Sequence, residues 1–262
     1  VAQQVIDQGI AHPILIGRRS VVSGRIEDLG LSIRIDRDFQ LVDPQDHPRY
    51  QEYCEAYFAL VARRGYSPVE ARSLVRTNST VLAAMMVRQG HADAMLCGLL
   101  GRYQKHLRHI EEILGLADGV TKLTSLNALV LHSGTLFITD TYVQEAPDVD
   151  EIVEIVRLTT EEVRRFGIEP KVALVSHSNF GTHDTPSSRK MRGALQMIRT
   201  RLPDLEVEGE MHADLALSED MRNTRYPGLA YSGAANLLVM PNLDAANISF
   251  NMLKVLGDGI VI

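Results

Sequence analysis

Lys171-Val172-Ala173-Leu174-Val175-Ser176-His177-Ser178-Asn179-Phe180-Gly181-Thr182-His183-Asp184-Thr185-Pro186-Ser187-Ser188 decides the fold class. Residues 171–176 are a short apolar run of strand length, and residues 187–201 carry helical periodicity. A polar loop containing one glycine joins them. A strand that feeds a helix through such a loop is half of a βαβ unit, and its recurrence along a chain marks an α/β fold with a largely parallel sheet.

The pattern does recur on both sides. Downstream, 205–210 reads as a strand, 213–223 as a helix, 236–240 as a strand and 244–256 as a helix. Upstream, the acids Asp148, Asp150 and Glu151 lead a long helix over 148–166 that Gly167 ends, as the helix dipole favours. Before it, 126–132 and 135–141 read as two strands joined at Ser133-Gly134 in a hairpin. Further upstream, Ala56, Tyr57, Leu60 and Val61 share one helix face, and Ser67-Pro68-Val69-Glu70 has the form of a capping box with a first-turn proline. Residues 81–87 form a helix closed by Gly90, 93–97 reads as a buried strand, and Leu107, Ile110 and Leu114 mark another helix.

These elements predict an α/β chain with mostly parallel sheets and flanking helices, folded as one large domain or as two lobes sharing a cleft. The stretch 142–150, with Pro147, is the expected boundary, giving lobes 1–146 and 147–262. The chain opens in an amphipathic segment (Val1, Ile6, Ile10) and stops in the strand-like Gly259-Ile260-Val261-Ile262. An unpaired apolar edge invites mispairing, so a fragment of a longer polypeptide is expected, the first lobe being completed by residues beyond the chain end.

Of the 262 residues, 45% are hydrophobic and 23% charged, with a net charge of −6. That balance suits a soluble globule and excludes an overall basic field that would recruit nucleic acid or an anionic membrane. No apolar run approaches the ~20 residues of a membrane span, and no secretory signal is evident. Cys54 and Cys97 read as reduced core thiols of a cytoplasmic protein.

An anionic ligand must then be caught locally. Ser176, Ser178, Asn179 and Gly181 lie where a strand ends and a helix begins, the place where open α/β sheets bind ligands and where free N–H groups face an anion. Lys190 and Arg192 follow in the helix. The alternative is an ordinary capping loop, with Ser187 or Ser188 as N-cap. A second cluster, Arg102, Tyr103, Lys105, His106 and Arg108, offers five donors to a phosphate or forms a solvated helix face. Arg63 and Arg64 make a smaller cluster before Gly65. Asn247, with Asn242, either binds a ligand or ties a turn. His177, His183 and Asp184, and likewise His106, His109 and Glu112, lack the spacing of a metal site. No nucleophile elbow, dinucleotide fingerprint or P-loop occurs.

Several segments resemble the phosphate acetyltransferase family over nearly the whole chain. They are Ala83-Ala84-Met85-Met86-Val87, His91-Ala92-Asp93-Ala94-Met95-Leu96-Cys97-Gly98, Phe166-Gly167-Ile168-Glu169-Pro170-Lys171, and Met240-Pro241-Asn242-Leu243-Asp244-Ala245-Ala246-Asn247. Phe137-Ile138-Thr139-Asp140-Thr141-Tyr142-Val143 and Gly209-Glu210-Met211-His212 are similar, more narrowly, to the C-terminal domain of bacterial hybrid NADP-dependent malic enzymes. The resemblance implies two α/β lobes with a cleft between them, a fold like that of phosphate acetyltransferase and isocitrate dehydrogenase, and a homodimer or higher homo-oligomer.

It further implies an acyl-CoA cleft in which Arg108 matches a family arginine and Arg63 or Arg64 a second. Where active transferases carry Ser-Gly-Ala-(His/Asn)-Thr-Thr, this chain has Cys97-Gly98-Leu99-Leu100-Gly101-Arg102. Their catalytic Ser-Arg and Asp would fall beyond Ile262, so no catalytic residue is expected here. The role implied is a degenerate transferase that senses acetyl-CoA and regulates malate decarboxylation in a preceding domain. NADP and a divalent metal would belong to that domain, and no cofactor or metal to this chain.

Overall fold

The computed structural model describes residues 1–98 and 100–262; Leu99 lies outside them. Two compact units divide the chain, Val1–Ala117 and Asp118–Ile262.

The first unit carries α1 (Ala2–Asp7), β1 (Ile14–Ile16), α2 (Arg19–Asp28), β2 (Gln40–Val42), α3 (Tyr50–Val61), α4 (Pro68–Thr77), α5 (Ser79–Arg88) and α6 (Tyr103–Leu114). Strands β1 and β2 pair in parallel. The core joins α3 (Tyr53, Cys54, Tyr57, Val61), α4 (Ala71, Val75), α5 (Val81, Leu82, Met85) and Ile113 of α6. The expected capping box starts α4: Ser67 Oγ accepts from the Glu70 N–H, and the Glu70 carboxylate accepts from the Ser67 N–H.

The segment 93–97 is not a strand. It finds no ladder partner among the described residues, and a lone extended segment leaves its backbone groups to water. Only Met95 packs on the core, while Leu96 is 95% exposed. Cys97 is exposed as well, so only Cys54 is the core thiol that both were expected to be.

The second unit is built on one sheet, comprising β3 (Leu126–Leu131), β4 (Gly134–Thr139), β5 (Lys171–Val175), β6 (Glu206–Met211), β7 (Leu237–Val239) and β8 (Ile260–Val261). Their order is β6-β5-β7-β4-β3-β8. The pairs β6–β5, β5–β7 and β7–β4 are parallel, and β3 is antiparallel to both neighbours. Alternate residues serve opposite faces, as the strand period of two requires. Phe137, Val172, Leu174 and Leu237 meet α7 (Val149–Arg165) and α8 (Pro186–Arg201). Ile138, Ala173, Val175 and Leu238 meet α9 (Ala213–Leu217) and α11 (Leu243–Leu256). Helices on both faces explain the near-continuous apolar strands.

Three expectations shift in position. The unit boundary falls at Ala117/Asp118 rather than at 146/147, because the β3–β4 hairpin joins the second unit's sheet through β7. The hairpin turn is His132-Ser133, with Gly134 already paired to Leu131. The single helix expected over 213–223 is two, α9 and α10 (Glu219–Arg225). Ser218 breaks it by taking extended backbone and capping α10, its hydroxyl accepting from the Met221 N–H.

Candidate functional site

The candidate residues fall into two groups, one in each unit. In the second unit the carboxyl ends of β6, β5, β7 and β4 lie side by side, and Ser176, Ser178, Asn179, Gly181, Lys190 and Asn247 collect around that edge. The 176–185 loop is organised by its own side chains. Ser178 Oγ accepts from the His183 N–H at 3.0 Å, and Ser176 Oγ from the Ser178 N–H at 3.2 Å. Asn179 Oδ1 accepts from the His212 N–H at 2.7 Å, fastening the loop to the end of β6. Both Ser178 and Asn179 are buried.

Gly181 has a φ of +90°, which a side chain would oppose. Its N–H donates to Glu210 Oε1 at 3.0 Å, and the neighbouring Phe180 N–H to the Glu210 carbonyl at 2.7 Å. Glu210 is fully buried and also accepts from Arg192 Nη1 at 3.1 Å. Arg192 Nη2 reaches Asp184 at 2.7 Å. Asp184 is held below the usual carboxylate range, chiefly by its hydrogen bond from Arg189. The donors expected to face an anion, the Gly181 N–H and Arg192, are thus engaged by Glu210. No sequence signal marked that carboxylate. The N-cap of α8 is Thr185, in a capping box with Ser188, and not Ser187 or Ser188. Pro186 in the first turn is the signal that points to it.

Lys190 Nζ donates to the Pro241 carbonyl at 2.7 Å, tying α8 to the end of β7. Burial lowers its ammonium pKa, against the opposing pull of Asp148 and Glu151. Asn247 Nδ2 donates to the Thr141 carbonyl at 3.1 Å, and Asn242 caps α11 through the Ala245 N–H. On the same edge Asp140 is buried after β4 and accepts from the N–H groups of Tyr142, Val143 and Gln144 and the hydroxyls of Thr124 and Ser125. A carboxylate so enclosed fixes the backbone of the 140–144 turn.

In the first unit Arg102 and Arg108 line one depression of about 480 Å³ along α6, with Gln104, Lys105, Leu107 and Glu111. Arg102, Lys105 and Arg108 are exposed, and among the described residues none of them forms an ion pair. His106 points away from this task. Its Nδ1 lies 2.7 Å from Thr80 Oγ1 and its Nε2 2.7 Å from the Leu100 carbonyl. The ring occupies the space that a Cβ at Gly101 would need, 2.8 Å from it, and Gly101 has a φ of +106°. Arg63 and Arg64 are both exposed at the turn Ala62–Arg64 that follows α3. Arg64 lies 3.5 Å from Glu112 Oε1, and Tyr57 donates to Glu112 Oε2 at 3.1 Å. Among the described residues no group of three His, Cys, Asp or Glu side chains could hold a metal ion. None of the described helices is long and apolar enough to cross a membrane.

A family model described as phosphate acetyl/butaryl transferase matches residues 1–262. The chain belongs to that family. Among its relatives, the NAD-dependent malic enzyme of Rhizobium meliloti (strain 1021) is 49% identical over 259 residues, 99% of this chain and 34% of that protein. The NADP-dependent malic enzyme of Escherichia coli (strain K12) is 49% identical over 253 residues, 97% of this chain and 33% of that protein. The chain therefore spans about a third of the length of these two relatives. The EutD phosphotransacetylase of Staphylococcus aureus superposes with a TM-score of 0.85 at 22% identity, covering 100% of this chain and 79% of that one. That likeness shows a phosphotransacetylase fold, in keeping with the α/β architecture expected above.

Proposed function

We propose that this chain is the acyl-CoA-sensing module of a malic enzyme, with acetyl-CoA as its effector and without acetyl transfer of its own. The observation that carries this reading is the 49% identity, over nearly the whole chain, to proteins named malic enzymes. The exposed cations of the α6 depression support it, since Arg102, Lys105 and Arg108 suit the phosphates of a CoA. Arg63 and Arg64 add to them, while Ser176, Ser178, Asn179, Gly181, Lys190 and Asn247 shape the second unit's ligand edge.

An effector that binds two states of the polypeptide with different affinities shifts their balance by the same free energy, and the malic site feels that shift. Malate decarboxylation, its nicotinamide cofactor and its divalent metal belong, on this reading, to the remainder of a cytoplasmic polypeptide. Self-association as a dimer or higher oligomer draws support from α11, where Ile248, Met252, Val255 and Leu256 are exposed along one side.

Titration of acetyl-CoA into the full-length polypeptide is the test. The expected result is saturable binding with a change in malate turnover, and Arg108→Ala should weaken binding about tenfold, the loss of one charge-assisted contact. Absence of both binding and a turnover effect would defeat the proposal. The family model itself favours a second reading, a working phosphate acetyltransferase. It requires the intact polypeptide to form acetyl-CoA from acetyl phosphate and CoA. A third, a pure assembly module, requires that deletion alters oligomeric state while acetyl-CoA does nothing.

A further inference from the structure

Glu112 sits on α6 with only 6% of its side chain exposed, and its surroundings compensate its charge incompletely. Oε2 accepts one hydrogen bond, from Tyr57, whose own hydroxyl is buried and has its pKa raised by burial first and by Glu112 second. His109 Nδ1 is 3.6 Å from Oε2 and makes no hydrogen bond. Besides the Tyr57 hydroxyl, the partner of fixed positive charge is Arg64, whose Nη1 is 3.5 Å from Oε1. Arg64 is 56% exposed, so the guanidinium meets Glu112 on one side and water on the other. A buried carboxylate with so few donors draws such a cation toward it, by the modest amount of a partly exposed ion pair.

We infer that Glu112 is an internal competitor for Arg64 and sets how tightly the first unit holds an anionic ligand. The inference rests on the acyl-CoA reading above and deepens it. A phosphate approaching Arg64 has to share the guanidinium with a carboxylate already fixed beside it, and the two negative charges repel each other at short range. Arg63, next in the chain, forms no ion pair among the described residues and carries no such handicap. Glu112 is thus a positioning residue that acts through Arg64, and its effect is to loosen binding.

The test measures acetyl-CoA affinity by calorimetry on the full-length polypeptide, with Glu112→Gln, Arg64→Ala and the double variant. Glutamine keeps the shape and can still accept from Tyr57, but removes the charge. Glu112→Gln is expected to tighten binding about two- to fivefold, the range of a partly exposed ion pair. The gain should vanish in the Arg64→Ala background, because it exists only through that side chain. A residue of merely structural importance would weaken binding or lower thermal stability when changed. Unchanged or weaker binding in Glu112→Gln, or an equal gain without Arg64, overturns the inference while leaving the acyl-CoA reading intact. A wild-type protein that binds no acetyl-CoA overturns both. Should the glutamine variant fail to fold, Glu112→Asp draws the carboxylate back by one methylene and is expected to tighten binding in the same direction; weaker or equal binding there counts against the inference.

Discussion

Arg222 carries its charge into the interior of the second unit and meets carbonyls there. It is fully buried, and it donates to the carbonyls of Leu215 at 2.7 Å, Tyr231 at 3.1 Å and Gly233. Its guanidinium carbon lies 4.9 Å from the centre of the Tyr231 ring. A planar fork with several donors can hold separated acceptors that one ammonium cannot. Arg222→Ala should therefore cost about 3–5 kcal/mol, and Arg222→Lys a smaller part of that, in urea unfolding. In sequence Arg222 reads as one more charge on a solvated helix, because its acceptors stand 7, 9 and 11 residues away across a turn. The partner of Lys190 is hidden for a similar reason, since its amine donates to a carbonyl 51 residues on.

At the scale of elements, α6 carries two kinds of surface on one helix. Arg102, its N-cap, and Arg108 face the depression, while His109 and Ile113 are buried. Burial lowers the pKa of His109, with Arg108 and His106 adding to the effect and Glu112 opposing it. A histidine whose folded pKa lies below the unfolded one binds more protons when unfolded. Its contribution to stability is therefore full above the ordinary value of 6.5 and is lost as pH falls through the lower folded value. Urea midpoints measured between pH 7.5 and 5 should fall on the acid side, and less steeply in His109→Gln.

Elements with local signals were legible. The capping box at Ser67 lies where the sequence puts it, and so does the acid-led start of α7, which the structure shows to be a second box, at Asp148. The strand expected over 93–97 was not, since an apolar run specifies burial only when another strand is there to pair with it. The break at Ser218 also lacks a Gly or Pro to announce it.

For the whole molecule, the α/β class and the mostly parallel sheet followed from the alternation around residues 171–201, and the structure bears them out. The first unit is harder to read, because its sheet is two strands of three residues each and its core is mainly helical. The placement of the candidate residues depended on contacts between distant segments, such as Glu210 with Gly181 and Glu112 with Arg64. Periodicity reports which face of an element is apolar, and it carries no information about which acid will meet which base.

The two cysteines divide the molecule in a way that bears on handling it. Cys54 is 2% exposed in the helical core, whereas Cys97 stands exposed on the segment before α6; burial raises both thiol pKa values, so it is access that separates them. A maleimide dye offered to the native protein should attach at Cys97 ahead of Cys54, with peptide mapping by mass spectrometry finding Cys54 labelled only after denaturant is added. The wild-type chain then supplies its own fluorescent reporter close to the Arg102 end of α6, and ligand titrations can be followed without engineering a new attachment point.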